Sequence, residues 1–73
     1  MIDIARHITL RIATPEASGS GFYIPEHDII ATAMHIVRGY SQIVIEGDNV
    51  PRQLAQVVYT DEQLDLALSL IHI

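Results

Sequence analysis

Cysteine is absent from the 73 residues. No disulfide can staple this chain, and zinc centres built on thiolates are excluded. Lysine and tryptophan are absent too, and the four arginines face nine acidic residues, for a formal charge of −5. That balance argues against nucleic acid and anionic membranes as partners, since both need a basic footprint. No apolar run approaches the ~18 residues of a membrane-spanning helix. Residues Met1 to His7 (MIDIARH) lack the basic leader and long apolar segment of a secretory signal. The compartment is left open, with the cytoplasm expected if the N-terminus is native.

Apolar residues, by contrast, are plentiful. They make up 49% of the chain, while charged residues reach only 18%, against about 25% in an average protein. The length allows one domain, 1–73, and a chain this short buries only about 60% of its unfolded surface. A small domain has much surface and should be more polar than average. Two explanations stand: part of the surface is covered by another domain or chain, or this is a small β-protein rich in Ile and Val.

Strand-like runs recur roughly every 8–12 positions between turn residues, the spacing of a sandwich or barrel. Ile8 to Ala13 (ITLRIA) alternates apolar and polar as a half-buried strand does. Thr14 to Ser18 reads as a turn, and Gly21 to Ile24 as a second strand set off by Gly19 and Gly21. Pro25 to Asp28 makes a tight turn into a third strand, Ile29 to Thr32, so that the pair forms a hairpin. Ala33 to Val37 predicts one helical turn, stopped at Gly39, a residue suited to the left-handed conformation. Gln42 to Glu46 and Gln53 to Thr60 predict a fourth and a fifth strand, the latter with Leu54, Val57 and Tyr59 inward. The last segment fits two patterns. Leu64, Leu66, Leu68 and Leu70 alternate as in a strand, yet Leu64, Ala67, Leu68 and Ile71 fit a helix stripe that Asp61 could cap. Six short strands with little helix predict an all-β fold, an antiparallel six-stranded β-barrel.

Three motifs carry a family resemblance. They are Gly19-Ser20-Gly21-Phe22-Tyr23-Ile24, Thr32-Ala33-Met34-His35-Ile36-Val37, and Asp61 through Leu68 ending Asp-Leu-Ala-Leu. In this order and spacing they resemble the N-terminal barrel of trypsin-like (chymotrypsin-fold) serine proteases, most closely the bacterial HtrA/Deg branch. The resemblance runs from about Ile8 to Ile73 and implies that the last segment is a strand. It also implies that the chain is the N-terminal half of the trypsin-like double barrel, with the second barrel absent. His35 and Asp65, 30 positions apart, then correspond to the His and Asp of a Ser-His-Asp triad. Met34 departs from the family's usual Ala, and its long side chain could crowd the turn that aims His35.

Set against this is the plain reading. A lone histidine is ordinarily a satisfied surface or core residue, and an aspartate such as Asp65 is ordinarily an exposed strand charge or a cap; the flanking motifs favour the triad roles. In a triad, His takes the serine proton and Asp fixes its tautomer and stabilises the imidazolium. The serines are Ser18, Ser20, Ser41 and Ser69, and none lies in the family's Gly-Asp/Asn-Ser-Gly-Gly nucleophile loop. The resemblance therefore implies the N-terminal portion of a serine endopeptidase, inactive alone, whose polypeptide substrate requires completion by a second barrel. The alternative is a non-enzymatic β-barrel protein-binding module derived from a protease fold. Neither reading calls for a cofactor, and His7, His27 and His72 have no ligand-like spacing for a metal. Gly19-Ser20-Gly21 lacks the pattern of a phosphate loop. Phe22, Tyr23, Tyr40 and Tyr59 are too scattered for a base-stacking platform. An apolar patch beside His35 is expected to drive self-association through the exposed barrel face.

Overall fold

The alternation in ITLRIA becomes strand β1 (Ile8–Ala13), with Leu10 and Ile12 buried and Arg11 outside. The computed structural model describes residues 8–71; His7 and His72 lie outside them. After β1 come β2 (Ser18–Ile24), β3 (Ile29–Ala33), helix α1 (Met34–Val37), β4 (Gln42–Gly47), β5 (Val50–Asp61) and β6 (Leu66–Ile71). All neighbouring strands are antiparallel, and they close in the order β1-β2-β3-β6-β5-β4. The seam between β1 and β4 spans three pairs, Arg11–Glu46, Ile12–Ile45 and Ala13–Val44. Closure removes the unpaired edges that would otherwise invite strand addition.

The interior is aliphatic. Leu10, Ile12, Ile30, Ile43, Ile45, Ala55 and Ala67 form one buried cluster with Met34, Ile36 and Val37 of α1. Helix α1 touches β1, β3, β5 and β6 and so plugs one end of the barrel. At the β1–β2 turn, Thr14 Oγ1 accepts the Ala17 amide hydrogen at 3.1 Å and its hydroxyl lies 3.4 Å from the Ile36 carbonyl. That contact ties the turn to the helix.

Three expectations need correction. Gly19 and Gly21 do not interrupt a strand; they lie within β2. There the missing side chains make room: a Cβ on Gly21 would lie 2.9 Å from the Ala31 carbonyl oxygen and from Ile12 Cγ1, and one on Gly19 would overlap Ile36. Leu54 and Tyr59 do not point inward but are half exposed, while Ala55 is buried. The cause at Tyr59 is a bulge. Val57 pairs with Ser69 and Tyr59 with Leu68, so that Val58 is an extra residue that shifts the alternation by one.

The leucines of β6 hold the outer face. Ala67 and Ser69 are buried, while Leu66 and Leu68 are half-buried and Leu70 is exposed. Two of the inward positions of β6 carry small residues, Ala67 and Ser69, and the third, Ile71, packs against the core cluster. Ser69 bears the one buried side-chain oxygen without a hydrogen-bond partner among the described residues. An unsatisfied buried hydroxyl costs about 1–3 kcal/mol. Ser69→Ala is therefore expected to raise the unfolding free energy by about 1 kcal/mol, read as a higher urea midpoint at unchanged m-value.

Candidate active site

Helix α1 begins without a side-chain cap of its own, since Ala33 occupies the N-cap. Its first amide hydrogens are satisfied from across the barrel end by Asp65. The Asp65 carbonyl accepts from the Met34 amide at 3.0 Å, and Oδ1 accepts from the His35 amide at 2.8 Å. The second carboxylate oxygen, Oδ2, lies 2.6 Å from His35 Nδ1. One residue thus caps the helix that carries the histidine and also grips the imidazole. Capping of this kind is worth about 0.5–2 kcal/mol.

Asp65 reaches this position because its backbone is left-handed, with φ 51°. Few residues other than glycine tolerate that region, and aspartate is among them. The same device occurs in the β2–β3 hairpin, where Asp28 (φ 53°) ends the Pro25–Asp28 turn. Asp28 accepts the Tyr23 hydroxyl at 2.8 Å, which raises the Tyr23 pKa. At Asp28 the geometry serves only its own hairpin. At Asp65 it also aims a carboxylate at His35.

The site is open. The His35 side chain is 65% exposed and that of Asp65 47%. The hydrogen bond from the His35 ring, then that from its backbone amide, hold the Asp65 carboxyl below the usual aspartate range; partial desolvation opposes them, and the charges of His35 and Arg38 add to them. A carboxylate so stabilised is ionised at neutral pH and only accepts hydrogen bonds. His35 Nδ1 therefore carries the hydrogen, which leaves Nε2 in the neutral ring as a free base on the far side. Met34 does not crowd this turn: it is buried in the core cluster while His35 still meets Asp65.

The serines lie elsewhere. Ser18 and Ser20 are in β2, Ser41 precedes β4, and Ser69 is buried in β6. Among the described residues no hydroxyl is hydrogen-bonded to His35. No group of three or more His, Asp or Glu among them is arranged to hold a metal, and no helix among them is long and apolar enough to cross a membrane.

Beside Asp65 the outer wall is apolar. Phe22, Ala31, Leu68 and Tyr59 stand side by side on four neighbouring strands. Ala33 and Leu66 form the adjacent row. A hollow of about 350 Å³ lined by Ser20, Phe22, Ala31, Thr32, Ala33, Asp65 and Leu66 joins this strip to the site. The outward leucines of β6 were not separable from an inward set by alternation alone.

No family model matches the chain. In sequence it is similar to serine protease HTRA1 of Xenopus laevis, with 37% identity over 54 residues, covering 74% of this chain and 12% of that protein. In structure it is similar to the serine protease of a human pathogenic astrovirus, with a TM-score of 0.75 and 28% identity, covering 89% of this chain and 38% of that one. It is also similar to Rv3671c protease in its inactive form, with a TM-score of 0.73 and 26% identity over 86% of this chain and 31% of that one. The chain thus spans well under half the length of each of these three proteins.

Proposed function

From a chain that is a homologue of the HtrA serine proteases and folds as a six-stranded trypsin-like barrel, we propose that it supplies the general base and orienting acid of a serine endopeptidase. His35 Nε2 takes the proton of an attacking serine hydroxyl and returns it to the leaving amine. Asp65 holds the Nδ1–H tautomer and stabilises the imidazolium formed between those steps. The nucleophile and the oxyanion donors come from a second barrel. The face that would receive it is the strip of Phe22, Ala31, Leu66, Leu68 and Tyr59, which runs up to Asp65. The substrate is a polypeptide laid between the two barrels.

The observation that carries this reading is the 2.6 Å contact between His35 Nδ1 and Asp65 Oδ2. The 73 residues alone are expected to leave casein intact and to take no label from a fluorophosphonate probe, since that reagent needs an activated serine. Joined to the second barrel of the Xenopus HTRA1 relative, the chain is expected to be labelled and to cleave casein, and His35→Gln abolishes both. Labelling of Ser18, Ser20, Ser41 or Ser69 in the isolated chain would overturn the proposal. A joined protein that assembles but stays inactive favours the protein-binding module instead, with the apolar strip as its contact face.

A further inference from the structure

The turn that delivers Asp65 is not held by packing. Glu62, Gln63 and Leu64 are all exposed, Leu64 to 72%. Its internal backbone bond, from the Asp65 amide to the Glu62 carbonyl, is long at 3.4 Å. Beyond the bonds of Asp65 itself to Met34 and His35, the left-handed turn at Asp65 has one further restraint. Asp61, the last residue of β5, pairs with Leu66 at the foot of the turn. Its Oδ1 accepts the Leu64 amide at 3.1 Å, and its Oδ2 accepts the Tyr59 hydroxyl at 3.3 Å. Both carboxylate oxygens are thus engaged, one on the turn and one on a tyrosine two residues back in the same strand.

The bulge at Val58 makes this arrangement. It shifts the alternation of β5 so that Tyr59, opposite Leu68, stands on the outer wall, and Asp61 two residues on shares its side. Without the extra residue, Tyr59 would turn toward the interior.

We infer that Asp61, braced by Tyr59, is a positioning residue: it locks the turn after β5 so that the Asp65 carboxylate meets His35. The inference rests on the triad reading above and adds a third residue, outside the hydrogen-bonded pair, that sets the pair's geometry. An ordinary turn-capping role would affect stability alone. A positioning role also governs the Nδ1 hydrogen bond, which proton NMR of the 73-residue chain reads as a low-field His35 resonance.

Asp61→Ala is expected to lose that resonance and to return the Asp65 carboxyl titration, followed by carbon NMR, to the ordinary aspartate range. Asp61→Asn, which keeps an acceptor for the Leu64 amide, is expected to restore both. Tyr59→Phe leaves that acceptor in place but removes its brace, and is expected to speed solvent exchange of the Nδ1 proton several-fold. This milder variant keeps the inference falsifiable where Asp61→Ala does not fold. A folded Asp61→Ala with an unchanged resonance, or an unchanged exchange rate in Tyr59→Phe, overturns the inference. Asp65→Asn separates the two levels. If it too leaves the resonance intact, the His35–Asp65 pairing fails; if it removes the resonance while Asp61→Ala does not, only the positioning role fails.

Discussion

If His35 and Asp65 act as proposed, Asp65→Asn is expected to lower kcat of the protein completed by a second barrel by about 10⁴-fold at neutral pH. The barrel itself stays folded. Asparagine tolerates the left-handed backbone at φ 51°, its carbonyl can still accept the His35 amide, and its backbone oxygen can still cap Met34. The loss falls on the ring. An amide nitrogen facing Nδ1 donates rather than accepts, so the hydrogen moves to Nε2, and the base the serine needs is gone. Asp65→Ala should differ in kind. It loses the side-chain cap and leaves a residue without compensating hydrogen bonds in the left-handed region, so its urea midpoint falls as well.

Acid supplies a second readout. The Asp65 carboxyl is depressed, mainly by the hydrogen bond from His35. A depressed carboxyl stabilises the fold above its unfolded pKa, about 3.9, and the contribution is lost as pH falls through the lower folded value. The stability gap between wild type and Asp65→Asn is therefore expected to narrow below about pH 4. An Asp65→Asn protein with wild-type kcat would remove the carboxylate from the mechanism.

What could be read in advance divides along physical lines. The strand ITLRIA was legible because its two faces differ in chemistry, so alternation names the buried side. Strand β6 was not, because its buried face, Ala67, Ser69 and Ile71, is no more apolar than its outward leucines. In the structure Ala67 joins the cluster of Met34, Ile36 and Val37 and Ser69 is buried beside it, while the leucines lie outside. Tyr59 was misplaced because a bulge leaves no mark in composition, and counting by twos fails beyond Val58. Gly19 and Gly21 looked like breaks because a glycine's value here lies in a distant neighbour, Ile36 in one case and Ile12 with the Ala31 carbonyl in the other. His35 and Asp65 could be named from their flanking motifs. That Asp65 also caps the helix bearing His35 could not, since it depends on the backbone conformation of a turn closed by Asp61.

Ile12→Ala is expected to remove a large share of the chain's stability and so lower its urea midpoint more than any other single change considered. Ile12 and its cross-strand partner Ile45 are both fully buried. They form the middle of the β1–β4 seam, which has three pairs in all. Gly21 lacks a side chain where Ile12 Cγ1 and Cδ1 fill the space, at 2.9 and 3.0 Å from a would-be Cβ. Truncation leaves a cavity beside Gly21, which has no side chain to fill it, within the cluster that Ile12 shares with Leu10, Met34 and Ile36. Cavities of this kind cost about 2–5 kcal/mol. A domain of this size has roughly 4–11 kcal/mol in total, with no disulfide to limit the unfolded state. Ile12→Val, which removes one methyl group, should cost only about 0.5–1.5 kcal/mol. Both are measured by urea unfolding followed by circular dichroism. Because α1 packs on β1 as well as on β3, β5 and β6, the His35 Nδ1 resonance should vanish in step with the strand signal. Loss of the strand signal while the resonance persists would show that the plug and its histidine hold together without the seam.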